Sequence, residues 1–193
     1  MTRAFRFQEA IIGAAVLVLI GLGAGLYPPR SLAAENLGDE ALKLRFEYLS
    51  QNGNSNCSGE FLDSITAMPA TALLQGSCCS RMDEHRYVEQ VRGLTKYAEI
   101  ALITSDPYDI PAGIAQQLLP HYSTELTPVE QAAYDYAMKH SDEQGPCCCE
   151  CWRWHVYGGL AKYLIREHGF TGEQIADVWD LSDGCGGSGE HVH

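Results

Sequence analysis

The chain is predicted to be all-α, a helical bundle built around two duplicated long helices and preceded by an N-terminal membrane or signal helix. Three observations point there. Apolar residues recur three and four apart through most of the chain, the spacing of one helix face. Two stretches, Thr127-Pro128-Val129-Glu130 and Thr171-Gly172-Glu173-Gln174, have the form of a capping box. No stretch alternates β-branched or aromatic residues as a half-buried strand would.

The N-terminal segment, residues 1–34, holds the uncharged run IIGAAVLVLIGLGAGL from Ile11 to Leu26, with Arg3 and Arg6 before it. Basic residues on that side favour an N-terminus inside and a C-terminus outside. The run is 16 residues long, a little short of the about 20 that span a bilayer comfortably. A retained anchor and a cleaved signal peptide, cut near Ser31–Ala34, both remain open. Either one places the rest of the chain on the extracytoplasmic side, membrane-anchored or secreted.

Residues 35–182 form the predicted cysteine-rich helical domain. Leu37, Ala41, Leu44, Tyr48 and Leu49 make a helical stripe over residues 35–49. The polar stretch 51–58 is a loop, and a short helix over 60–67 stops before Pro69. A long helix is expected over 78–103, with Val88, Val91, Leu94, Tyr97 and Ala98 on one face. A short one follows over 111–119, between prolines. Thr127 caps the next helix, Pro128 suits its first position, and it runs to about residue 140. The second long helix is expected over 147–168, stopped by Gly169. The last opens at Thr171 and ends near Leu181. Residues 183–193 are expected to form a flexible Gly/His tail carrying Cys185, His191 and His193.

Composition narrows the function. The formal net charge is -12 and apolar residues make up 46% of the chain. The apolar share suits a globular domain. The acidic balance repels phosphate backbones, so nucleic acid is not an expected partner. No Ser/His/Asp arrangement, phosphate-binding loop or HExxH motif is present, so hydrolase and nucleotide roles lack support. The sequence favours binding over catalysis.

Two segments resemble each other, GSCCSRMDEHRYVEQVRGLTKY at 76–97 and GPCCCECWRWHVYGGLAKY at 145–163. Each has a Gly, a double cysteine, a further sulfur residue (Met82; Cys151), a His-x-Tyr and a closing Gly-Leu-x-Lys-Tyr. The spacer after the His is longer by four residues in the first copy, close to one helical turn. Such helices packed side by side would bring their sulfur-rich leading ends together.

All eight cysteines follow residue 34. On an ideal helix Cys147, Cys148, Cys151 and His155 share one face while Cys149 points away. Cys78, Cys79, Met82 and His85 share a face in the other copy. These eight residues are the candidate metal ligands. Thiolate, thioether and imidazole together select Cu(I) and, without the thioether, zinc, so copper is the expected metal ahead of zinc or mercury. Two other readings stay open. An even cysteine count in an exported domain also suits disulfide staples in a cofactor-free interaction domain. Cys148-x-x-Cys151 has the spacing of a thiol-disulfide oxidoreductase, without the βαβ context that accompanies it.

Pro146-Cys147-Cys148-Cys149-Glu150-Cys151 fits the pattern P-C-x-C-x-C and resembles the PCYCGC-motif proteins, an exported bacterial family. Cys148 and Glu150 depart from the Tyr and Gly of that motif, and no lipoprotein cysteine ends the apolar run. The resemblance implies an extracytoplasmic protein with metal binding as its expected property.

Overall fold

The computed structural model describes residues 38–186. The N-terminal segment 1–34 and the tail from 187 onward, with His191 and His193, lie outside them. Among the described residues no helix is long and apolar enough to cross a membrane.

The described residues form seven α-helices and one small sheet: α1 (Asp39–Gln51), α2 (Gly59–Ile65), β1 (Leu73–Gln75), α3 (Glu84–Leu94), β2 (Asp109–Pro111), α4 (Ala112–Leu118), α5 (Pro128–His140), α6 (Trp152–His168) and α7 (Gly172–Ser182). Short 3₁₀ turns extend α3 and α4. The protein is thus mainly helical rather than purely so. β1 and β2 pair antiparallel, with Leu74 opposite Ile110. Each strand is only three residues long, too short for alternation to register in the sequence.

Both capping boxes form. Thr127 accepts from the Glu130 backbone N–H and Thr171 from that of Gln174, each with the reciprocal side-chain bond. Gly169 ends α6 in the left-handed conformation, with φ of 65°, as a helix C-terminal glycine does.

The two long helices start later than their periodicity suggests. α3 begins at Glu84, because Asp83 takes the N-cap and accepts from the Arg86 N–H. α6 begins at Trp152, with Cys151 at its N-cap. The cysteines of both segments therefore sit in loops ahead of the helices. The pair is also unequal, with 11 residues in α3 and 17 in α6. Nor do they pack as a twinned pair: the main helical neighbours of α3 are α1 and α7, while α6 packs on α4, α5, α7 and the turn after α4.

α6 is the central helix. Trp152, Val156, Leu160, Ala161 and Leu164 on it are buried against Leu118, Ile175 and Trp179. Gly159 lets the end of α4 cross it closely, since a Cβ there would lie 2.2 Å from the Leu118 carbonyl oxygen. A second, smaller core joins α1 to α3 through Leu42, Leu49, Tyr87, Val91 and Tyr108.

Candidate metal centre

Four stretches of chain deliver the cysteines: the α1–α2 loop (Cys57), the loop after β1 (Cys78, Cys79), the approach to α6 (Cys147, Cys148, Cys149, Cys151) and the strap after α7 (Cys185). Hydrogen bonds from backbone and side chains tie them down. The Asn54 and Ser55 N–H groups both donate to the Gln75 carbonyl at 3.0 Å, fastening the Cys57 loop to β1. Ser141 Oγ accepts from the Gly145 N–H at 3.0 Å and fixes the turn that leads into Cys147. The strap is held at both ends. Gln90 donates to the Asp183 carbonyl at 2.6 Å, and the Ser80 N–H donates to the Cys185 carbonyl at 2.9 Å.

All eight cysteines are free thiols and all eight converge. Sγ–Sγ separations are 3.1 Å for Cys57–Cys79, 3.6 Å for Cys79–Cys149, 3.4 Å for Cys79–Cys148 and 3.7 Å for Cys57–Cys149. Cys78 lies 4.0 Å from both Cys151 and Cys185, and Cys147 lies 3.7 Å from Cys151. Cys78 and Cys79, at 3.7 Å, join the two sets. A tetrahedral ion with metal–sulfur bonds of about 2.3 Å holds its sulfurs about 3.8 Å apart. The cluster therefore has the spacing of a soft metal site, although no pair lies at the roughly 2.05 Å of a disulfide bond.

Electrostatics single out Cys78. It accepts hydrogen bonds from Cys147, Cys151 and Cys185 and feels the positive charge of Arg153, which together hold its thiol far below the ordinary range. Its donors respond in the opposite sense. The bond with Cys151 pushes Cys147 strongly up. Cys151 settles at about 11, pulled down by Cys147 but pushed further up by Cys78 and by burial. Burial raises Cys57 and Cys79. One thiolate with several protonated neighbours is the resting state this arrangement favours.

Arg153 is fully buried behind the cluster. It donates to the carbonyls of Pro107 at 2.7 Å and Gly76 at 3.1 Å, and its guanidinium lies 4.6 Å from the Trp152 ring centroid. The cluster thus has a buried cation beside it, as a set of thiolates in a low-dielectric site requires.

Of the eight residues chosen from the sequence, the five cysteines Cys78, Cys79, Cys147, Cys148 and Cys151 meet. The other three do not join them. Met82 packs on the smaller core between α1 and α3. His85 is exposed and lines a surface cleft with Asp39, Asp83, Glu89 and Arg92. The His155 ring sits edge-on to Tyr122 at 4.6 Å. Among the described residues, the ligand-spaced groups consist of cysteines alone.

The structure adds Cys57, Cys149 and Cys185. Cys149 is excluded only if residues 147–151 are helical, and they are not. Cys185 is one residue past the Gly184 that makes the strap fit, because a Cβ there would lie 2.1 Å from the Arg153 guanidinium. The one sequence signal for Cys57 and Cys185 is the confinement of every cysteine to the chain after residue 34; Cys185 falls in the stretch expected to be a flexible tail, but residues 183–186 are buried. Comparisons with family models, curated proteins and solved structures found no match to this chain.

Proposed function

We propose that this protein binds soft metal ions on the extracytoplasmic side of a membrane, buffering or transferring Cu(I) in preference to zinc. The observation that carries the reading is the convergence of all eight thiols, drawn from four separate stretches, at metal-ligand spacing. Disulfide staples need only pairs. Here Cys78 and Cys79 each have several sulfur neighbours within 4.0 Å, an arrangement that suits ions shared among thiolates. All-sulfur coordination suits Cu(I) and zinc, and excludes hard ions such as magnesium and calcium. The extracytoplasmic placement rests on the apolar run and its leading arginines.

Reduced full-length protein, handled without oxygen, will bind Cu(I) at one or more equivalents in competition with a Cu(I) chelator. A Cys147→Ser/Cys148→Ser/Cys151→Ser variant will bind fewer equivalents and bind them more weakly. Equal binding by the two proteins defeats the reading, as does a thiol count near zero in protein purified without reductant, which would favour staples.

A further inference from the structure

Resting on that metal-binding reading, we infer that the eight thiols form two abutting four-sulfur sites, an inner one that retains metal and an outer one that exchanges it. The inner site comprises Cys78, Cys147, Cys151 and Cys185. The outer comprises Cys57, Cys79, Cys148 and Cys149.

Sulfur–sulfur distances group each set, and burial separates them at every position but Cys78, which is half-buried like Cys57 and Cys149 and stands at the junction. Within the inner set, Cys78, Cys147 and Cys185 lie mutually within 4.8 Å, and Cys151 lies 4.0 Å from Cys78 and 3.7 Å from Cys147. Within the outer set, Cys57, Cys79 and Cys149 make a triangle with sides of 3.1, 3.6 and 3.7 Å, and Cys148 is 3.4 Å from Cys79. Cys147, Cys151 and Cys185 are 1%, 3% and 5% exposed. Cys79 and Cys148 are open to solvent, and Cys57 and Cys149 are partly so.

The surroundings differ too. Arg153 acts on Cys78, Cys185 and Cys147, all members of the inner set. Trp152, with no exposed surface, belongs to the core cluster that also holds Cys147, Cys151 and Cys185. An ion in the inner site has three buried ligands, Cys147, Cys151 and Cys185, between it and the solvent, and the negative charge of its thiolates is offset by the buried Arg153. An ion in the outer site meets solvent on one side.

The sites touch. Cys78 and Cys79 are 3.7 Å apart, and Cys185 lies within 4.8 Å of both Cys79 and Cys148. An ion can therefore move inward by ligand exchange without leaving sulfur. Each incoming thiol releases its proton to solvent as its bond to the ion forms, and each displaced thiolate takes one up. No change of oxidation state is involved.

Cd²⁺ is a suitable probe, because it is redox-inert and favours four thiolates. Reduced full-length protein should take up two Cd²⁺ per chain in equilibrium dialysis. Excess EDTA should then remove one quickly and the other at least tenfold more slowly. The Cys57→Ser/Cys148→Ser variant alters the solvent-facing side, and should keep one ion and only the slow phase. Cys147→Ser/Cys185→Ser should keep one ion and only the fast phase, with circular dichroism reporting whether it is folded. If it unfolds, the outer variant alone decides. Uptake of a single ion, release of both ions in one phase, or loss of the slow phase in the outer variant overturns the two-site inference while leaving metal binding intact. Failure of the wild type to bind either Cd²⁺ or Cu(I) overturns the metal-binding reading itself.

Discussion

Asp180 shows how tightly the end of α7 is fitted around the strap that carries Cys185. Its carboxylate accepts from the Asp142 N–H at 2.8 Å, and its carbonyl accepts from Arg86 at 2.8 Å. Burial, reinforced by the neighbouring Asp142 and Asp177 charges, pushes its carboxyl from 3.8 up to about 6. The sign follows from linkage. A carboxyl whose pKa is higher in the folded state binds its proton more tightly there than in the unfolded chain. Its stabilising contribution is complete below 3.8 and is lost as the pH rises through about 6. Asp180→Asn keeps the acceptor and removes the charge. The variant should melt higher than wild type at pH 7, and the gap should close as the pH is lowered to about 4. A gap of constant size across that range in thermal melts would show that Asp180 is not the responsible group.

α7 connects packing to the thiol cluster, because its leading end is capped by Thr171 and its trailing end runs into the strap. Thr171 Oγ1 accepts from the Gln174 N–H at 3.3 Å while Gln174 Oε1 accepts from the Thr171 N–H at 2.9 Å. Trp179, farther along, is buried and donates to the Tyr157 carbonyl on α6 at 3.0 Å. Thr171→Ala should cost about 1 kcal/mol in urea unfolding. Metal stoichiometry should be unchanged, because Trp179 and the Gln90–Asp183 bond still seat the strap. This cap, that of Thr127 and the Gly169 stop were readable in advance because each depends on a few adjacent residues. The starts of α3 and α6 were not. Apolar and sulfur residues before Glu84 and Trp152 continue a helical rhythm, and nothing in that rhythm marks Asp83 and Cys151 as the caps. Placing Cys147–Cys151 on a helix then misdirected the ligand set, admitting His155 and leaving out Cys149. The short β1–β2 pair was invisible for a different reason: its pairing joins residues far apart in the chain.

The thiol cluster is a property of the whole molecule, since it forms only when stretches around residues 57, 78, 147 and 185 arrive together. Local pattern could bring two of these four into view, through the likeness of the segments at 76–97 and 145–163. The other two depend on tertiary contacts: the Gln75 carbonyl that fastens the Cys57 loop, and the Ser80 and Gln90 bonds that hold the strap. The same architecture ties metal to folding. An ion held by Cys57, Cys79 and Cys149 closes long loops that are open in the unfolded chain, and a ligand that binds only the folded state stabilises it by mass action. At a free concentration a thousandfold above the dissociation constant the gain is about 4 kcal/mol. Without metal, burial and the buried Arg153 still hold the core, but one thiolate and several protonated thiols must then be packed together. Reduced protein loaded with Cu(I) or Zn²⁺ should therefore melt well above the same protein after chelation, and the difference should grow with free metal concentration. It should shrink as the pH falls and protons compete for the thiolates. The Cys57→Ser/Cys148→Ser variant should retain part of the gain. Coincident melting curves for loaded and chelated protein would mean that the thiols contribute no metal-linked stability, and would leave Cys78 and its neighbours as core residues of an acidic helical domain.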